Sequence, residues 1–213
     1  MINFVPIFPL ALVVYPGEAL NLHIFEPRYK QLITDCFAEG KPFGIPVVLK
    51  NGIAEMGVLV EITQIVQVYD DGKMDIKTKG LQVFSILEIT GEIPNKLYNG
   101  AVVNYPSNEI NPKPFISFKI LDSVYILHRL LNVSKNFKKK VSEILSYDIA
   151  HHSGLALEEE YELLGLFREE ERLEYLRRHL EKVIPVVAGM EQLKQKIELN
   201  GHFKEIKGYN FNP

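Results

Sequence analysis

The 213-residue chain has no tryptophan and a single cysteine, Cys36. One thiol cannot form an internal disulfide, which suits a reducing, cytoplasmic compartment. Long hydrophobic runs are also missing. The longest apolar stretches, Ile7–Tyr15 and Val183–Ala188, fall well short of the roughly 20 residues of a membrane-crossing helix, and each contains a proline. No basic segment follows Met1, and Pro6 comes early, so no signal peptide is expected. An excess of positive charge is lacking as well. The formal net charge is −3; residues 1–110 carry 8 Lys and Arg against 12 Asp and Glu, and residues 111–213 carry 16 against 15. Nucleic-acid binding needs a positive field around the phosphates, so this balance disfavours it. The one concentrated basic run, Lys138-Lys139-Lys140, fits a solvated helix face better than a phosphate track.

With 46% hydrophobic and 24% charged residues, the chain can bury a core without a covalent staple. Its first half has the signals of strands. Ala19–Ile24 alternates apolar and polar residues, and Phe43–Leu49 is a short apolar run ending at the turn Lys50-Asn51-Gly52. Met56–Tyr69 and Lys73–Ile89 are β-rich and flank Asp70-Asp71-Gly72, an Asp-Gly hairpin signal in which both central residues are expected at positive φ. Leu97–Tyr105 adds one more strand. Strands at this spacing predict a small antiparallel barrel. A helix interrupts them: Pro27 suits its first position and Gly40 the position past its end. Tyr29, Leu32, Ile33, Cys36 and Phe37 form one apolar face between those two residues. Cys36 on that face is expected to be a buried, inert thiol.

Pro106, Pro112 and Pro114 mark a boundary, and helical periodicity follows it. Leu173, Leu176, Leu180, Val183, Val187 and Met190 step by three and four like a heptad seam. Pro185 should kink or break that helix. The organisation expected is a barrel over residues 1–110, a helical bundle over 111–206 and a frayed tail over 207–213.

Three ordered segments narrow this reading: Phe4-Val5-Pro6-Ile7-Phe8-Pro9-Leu10, then Val14-Tyr15-Pro16-Gly17, then Leu22-His23-Ile24-Phe25-Glu26-Pro27-Arg28-Tyr29. Together they resemble the N-terminal substrate-binding domain of Lon proteases. Gly57–Ile62, the Lys79-Gly80 step and Glu169-Glu170-Glu171-Arg172-Leu173 extend the resemblance over roughly residues 2–190. The resemblance implies an α+β fold: a small antiparallel PUA-like pseudo-barrel with one inserted helix, followed by a C-terminal helical bundle. It also implies a protein- or peptide-binding module, an adaptor for unfolded or tagged proteins, with a separate protease or self-association among its partners.

The motif has a physical reading of its own. Pro16-Gly17 suits a type II turn, with Gly17 at positive φ. Glu26 places a carboxylate at the positive end of the helix that Pro27 starts. Arg28 is expected to bond a carboxylate or strand carbonyls and lock that helix to the barrel. His23 alternates with Leu22 and Ile24 and so faces the polar side of its strand. Together with Tyr29, these residues are read as structural. A His, an acid and an Arg could also form an active site, but a turn, a cap and a clamp explain their spacing better.

Catalytic chemistry is not expected. Neither Gly40-Lys41-Pro42 nor Gly72-Lys73-Met74 has the frame of a phosphate loop, and the chain is too short to add a Ser-Lys protease domain. Ser153-Gly154 lacks the frame of a nucleophile elbow. Adjacent His151 and His152 point apart and suit no metal. The acidic triplets at 158–160 and 169–171 suit helix starts. No cofactor is expected. Peptide contacts are expected on an exposed apolar segment at Phe8, Pro9, Leu12 and Tyr15, with Phe43, along a groove walled by the bundle. The alternative function is RNA binding by a PUA-like barrel.

Overall fold

The computed structural model describes residues 3–91, 93–134, 137 and 139–207, with 200–207 as backbone alone. Lys138 of the basic run and the tail from Gly208 lie outside the described residues. The elements in chain order are β1 (Asn3–Pro6), β2 (Ala19–Ile24), α1 (Pro27–Glu39), β3 (Phe43–Leu49), β4 (Gly52–Val68), β5 (Met74–Thr90), β6 (Gly100–Asn104), α2 (Pro114–Leu130), α3 (Ser146–Ala150), α4 (Leu157–Leu164) and α5 (Glu169–Lys207). A 3-10 turn at Val141–Glu143 precedes α3. The α+β class expected from the sequence is observed, with six antiparallel strands and five α-helices among the described residues.

The chain divides into two compact units, residues 1–111 with 154–172, and residues 112–153 with 173–213. A division at 110/111 alone therefore misses a return of the chain: Gly154–Arg172, with α4, belongs to the strand-rich unit. The Tyr161 hydroxyl on α4 accepts the Met56 N–H of β4 at 3.2 Å, and the Glu160 carbonyl accepts the Tyr15 hydroxyl at 3.1 Å. A helical period reports that a segment is a helix and does not say which core it covers.

In the strand-rich unit the sheet order is β1-β6-β5-β4-β3, with β2 paired to β5. The sheet curls until the segment after β1 meets β3 through parallel bridges at Ile7–Gly44 and Leu10–Val47. Phe8 N–H donates to Gly44 C=O at 2.8 Å, and Val48 N–H donates to Leu10 C=O, also at 2.8 Å. Closure of this kind removes the edges of a sheet. Val5, Ile7, Leu59, Phe84, Ala101 and Val103 pack together inside.

The β4–β5 hairpin closes differently from the two-residue turn expected. Tyr69 C=O accepts Gly72 N–H at 2.8 Å and Tyr69 N–H donates to Lys73 C=O at 2.9 Å. Gly72 alone of the turn residues has positive φ, 74°. The result is a type I turn ended by a left-handed glycine, the usual longer hairpin loop. Helix α1 runs from Pro27 at its first turn to Gly40 at φ 61°, and it buries Tyr29, Leu32, Ile33 and Cys36. Phe37 at the rim of that face stays exposed.

In the helical unit α2 buries Ser117, Ile120, Leu121, Val124, Leu127 and His128. Ser117 Oγ donates to Ile144 C=O at 3.2 Å, just before α3. His128 Nε2 lies 2.9 Å from His152 C=O and His179 Nε2 3.1 Å from Ser153 C=O. A carbonyl only accepts, so both rings carry their proton on Nε2. Leu173, Leu176 and Leu180 of α5 are buried. The helix passes Pro185 without a break. Beyond it the apolar stripe continues on the surface as Val186, Met190, Leu193 and Ile197.

Candidate functional site

The Tyr15–Glu18 segment forms the turn expected of Pro16-Gly17. Glu18 N–H donates to Tyr15 C=O at 3.1 Å, with Gly17 at φ 85°. The turn lies against β5 at Gly80, where a Cβ would come within 2.2 Å of the Tyr15 carbonyl oxygen. Gly17 N–H donates to Gly80 C=O and Gly80 N–H to Glu18 C=O, at 2.9 and 2.8 Å. The Lys79-Gly80 step is thus a close backbone crossing that admits no side chain.

The apolar segment leading into this turn is not a surface. Phe8, Val13, Val14 and Tyr15 are buried, and Phe43 is fully so at 0% exposure. The Phe8 ring sits 4.0 Å from the Tyr29 ring and 6.4 Å from Phe43. Exposure, which docking needs, is absent at three of the five residues proposed for peptide contact, while Pro9 and Leu12 are half-buried. The reason is topological: this segment closes the barrel against β3, so its apolar residues serve as core.

Arg28 does not clamp α1 to a strand. Its Nε and Nη2 donate to Glu26 Oε2 at 2.9 and 2.8 Å, across a pair that is roughly half-exposed on both sides. Glu26 makes no side-chain cap bond; its carbonyl accepts the Tyr29 and Lys30 N–H groups instead. The Arg28 guanidinium lies 4.5 Å from the Tyr29 ring centroid. A surface pair of this kind orients the helix start and contributes little energy.

His23 has the most informative surroundings. Pairing of β2 with β5 sets it opposite Asp75, and its Nδ1 lies 2.7 Å from Asp75 Oδ1. The other oxygen, Oδ2, accepts the Tyr69 hydroxyl at 2.7 Å. Asp75 is held below the ordinary carboxylate range, first by the Tyr69 hydrogen bond and then by the one to His23. The Tyr69 phenol is raised because it donates to that carboxylate. A pocket of about 350 Å³ opens beside this network, lined by Asn21, Leu22, His23, Val66, Asp75, Ile76 and Lys77. Apolar side chains flank it: Phe25 is 58% exposed, Val66 50% and Tyr69 38%. The Phe25 ring stacks near His23 at 6.3 Å.

Chemically, this surface offers an apolar wall, a fixed imidazole–carboxylate pair and the Lys77 ammonium. Serine, threonine and cysteine are not among the pocket-lining residues, so the His–Asp pair faces no activated nucleophile there. Among the described residues no three His, Cys, Asp or Glu side chains are grouped to hold a metal. Cys36 is buried, and burial pushes its thiol up to about 11. Sequence reasoning placed His23 on the polar face of β2 but missed its i+2 neighbour Phe25, and it missed Tyr69, Asp75 and Val66, which only strand pairing brings to it.

Residues 5–182 match the family described as the ATP-dependent protease La (LON) substrate-binding domain. The chain belongs to that family. Its fold is similar to that of a Lon N-terminal domain protein from Xanthomonas campestris, at TM-score 0.63 and 24% identity, over 83% of this chain and 98% of that one. It is also similar to the N-terminal domain of a Lon protease from the Mycobacterium avium complex, at TM-score 0.59 and 16% identity, over 84% and 98%. The match to the Lon family covers the substrate-binding domain alone. Among the described residues no helix is long and apolar enough to cross a membrane.

Proposed function

We propose that this Lon-domain protein is a non-catalytic, cytoplasmic module that binds extended apolar segments of unfolded or tagged protein clients and presents them to a separate protease. The observation that carries this reading is the exposed set Phe25, Val66 and Tyr69 beside a pocket of about 350 Å³. Apolar side chains gathered on a surface beside a formed pocket favour a protein ligand. The barrel is related to the PUA fold in this reading. An RNA ligand is disfavoured because Lys77 is the single Lys or Arg among the pocket-lining residues and shares the lining with the acid Asp75. Self-association along the surface stripe Val186, Met190, Leu193 and Ile197 of α5 is the second contact proposed, since a step of three and four suits a partner helix.

The test is a competition between a fluorescein-labelled apolar peptide and a polyanion, each at low and high salt. Apolar burial persists at high salt, whereas phosphate-driven binding falls steeply. Peptide binding that survives salt, with hydrogen-exchange protection at 64–69 and 74–77, supports the reading. Protection at 10–12 would return the site to the half-buried edge of Pro9 and Leu12. Binding of the polyanion alone would replace the reading with nucleic-acid recognition.

A further inference from the structure

We propose that the pocket beside His23 receives the C-terminal end of a client polypeptide. The Lys77 ammonium and the Asn21 side-chain amide donate to its α-carboxylate, and its last side chain, an apolar one, lies against Val66. The proposal rests on the peptide-binding reading and makes its ligand specific.

Strand pairing sets the two donors side by side. In the β2–β5 register Asn21 stands opposite Lys77, and His23 stands opposite Asp75. Residues directly opposite each other share a face of the sheet, as do residues two apart on one strand. Asn21, His23, Asp75 and Lys77 therefore occupy one face, and all four line the pocket. Cross-strand neighbours have Cβ atoms about 4.5–5.5 Å apart, so a single carboxylate can reach both Asn21 and Lys77.

The hydrogen bonds already made decide what remains open. Asp75 Oδ1 meets His23 Nδ1 and Oδ2 accepts the Tyr69 hydroxyl, so each oxygen of the carboxylate is engaged. A carboxylate only accepts, which places the His23 proton on Nδ1. Lys77 and Asn21 differ. Among the described residues neither the Lys77 ammonium nor the Asn21 side-chain amide has a hydrogen-bond or ion-pair partner. The β4 neighbour of Lys77 is the uncharged Gln64, whereas Lys79 stands opposite Glu61. The pocket's one negative charge is thus engaged and its one ammonium is open. A carboxylate, with two oxygens to offer two donors, complements that pair.

Three observations favour a chain end over an acid-rich segment or a phosphate. First, the strand-rich unit, residues 1–111 with 154–172, carries 10 Lys and Arg against 19 Asp and Glu. That excess repels polyanions and acidic segments, while one terminal carboxylate on an apolar segment is enough for Lys77. Second, the pocket of about 350 Å³ is at the small end of the roughly 300–1,000 Å³ range of ligand sites, which suits a terminal residue. Third, a chain end brings a backbone N–H on the same residue as its carboxylate. A neutral His23 ring bonded through Nδ1 offers Nε2 to accept it. Val66, 50% exposed, supplies the apolar contact.

The test uses the full chain and three apolar hexapeptides with fluorescein at the N-terminus, read by fluorescence anisotropy. One ends in a free α-carboxylate and the second in an amide. The third is the amide with an aspartate next to its last residue. The free acid is expected to bind about fivefold or more tightly than either amide at low salt, the size of one exposed ion pair and one hydrogen bond together. High salt should narrow this difference while all three peptides stay bound. Lys77→Met should bring the free acid to the level of the amide, leaving the amide and far-UV circular dichroism unchanged. Lys77→Arg should keep the preference. Equal binding of free acid and amide to the wild type would overturn the chain-end site while leaving the peptide-binding reading intact. A preference that survives Lys77→Met would overturn it too, since the carboxylate would then sit elsewhere. If the aspartate peptide matches the free acid, Lys77 reads an acidic side chain and the proposal is wrong. Binding of none of the three would sink both readings.

Discussion

Arg172→Met should be among the most destabilising single substitutions in the strand-rich unit. The Arg172 and Glu169 side chains are both 0% exposed and meet at 2.7 Å. Arg172 Nη1 also donates to Asn108 Oδ1 at 2.8 Å and to Leu166 C=O at 2.7 Å, and Nη2 donates to Glu109 C=O as well. One guanidinium thus ties the start of α5 to the end of α4 and to the segment after β6. Its removal leaves the Glu169 carboxylate buried without its cation, together with carbonyls that lose a donor. Breaking a buried pair costs about 3–5 kcal/mol, a large share of a total stability of roughly 5–15 kcal/mol. Urea unfolding read by far-UV circular dichroism should show a midpoint lowered by more than about 1 M at a typical slope of 1–3 kcal/mol/M. The double variant Arg172→Met with Glu169→Leu removes both charges, and it should recover much of the loss because paired apolar replacements are often neutral. A single variant within about 1 kcal/mol of wild type, or a double variant no better than the single, would refute the reasoning.

Other outcomes follow from the same geometry. The Asp35 carboxyl accepts Lys96 Nζ at 2.8 Å and the Tyr98 hydroxyl at 2.9 Å, and it is held below its ordinary value chiefly by the Lys96 bond. Its contribution is therefore full above the unfolded value of about 4 and is lost as pH falls through the lower folded value. Asp35→Asn should lower stability at neutral pH and flatten the acid limb of a stability–pH curve measured in urea. The Cys36 thiol, pushed up to about 11, should resist maleimide at pH 8 in the native protein and react in denaturant. Labelling at the rate of a free thiol would contradict its burial. Glu26→Ala and Arg28→Ala should each change stability by less than about 1 kcal/mol, as exposed pairs do. A melting-temperature loss of the size expected for Arg172→Met would show that the pair does more than orient the helix start.

Periodicity and turn chemistry are local, and local features of this chain were legible without coordinates. Alternation predicted β2, and the Pro27–Gly40 frame predicted α1 to within a residue. Pro16-Gly17 predicted a turn that closes with Gly17 at φ 85°. The ordered motifs through Tyr29 pointed to the family. Tertiary structure decided where apolar residues end up. Ile7–Tyr15 has the composition of an exposed docking strip and of a core strand alike, and its pairing with β3 made it core. Gly154–Arg172 has a helical period that fits either unit, and its contacts put it with the strands. The His23–Asp75–Tyr69 network joins positions 46 and 52 residues apart in sequence. Their meeting depends on the β2–β5 register, which a one-residue slip would undo by turning every side chain to the other face. Local rules fix what each segment becomes, and long-range pairing fixes which faces meet and which stay open to a partner.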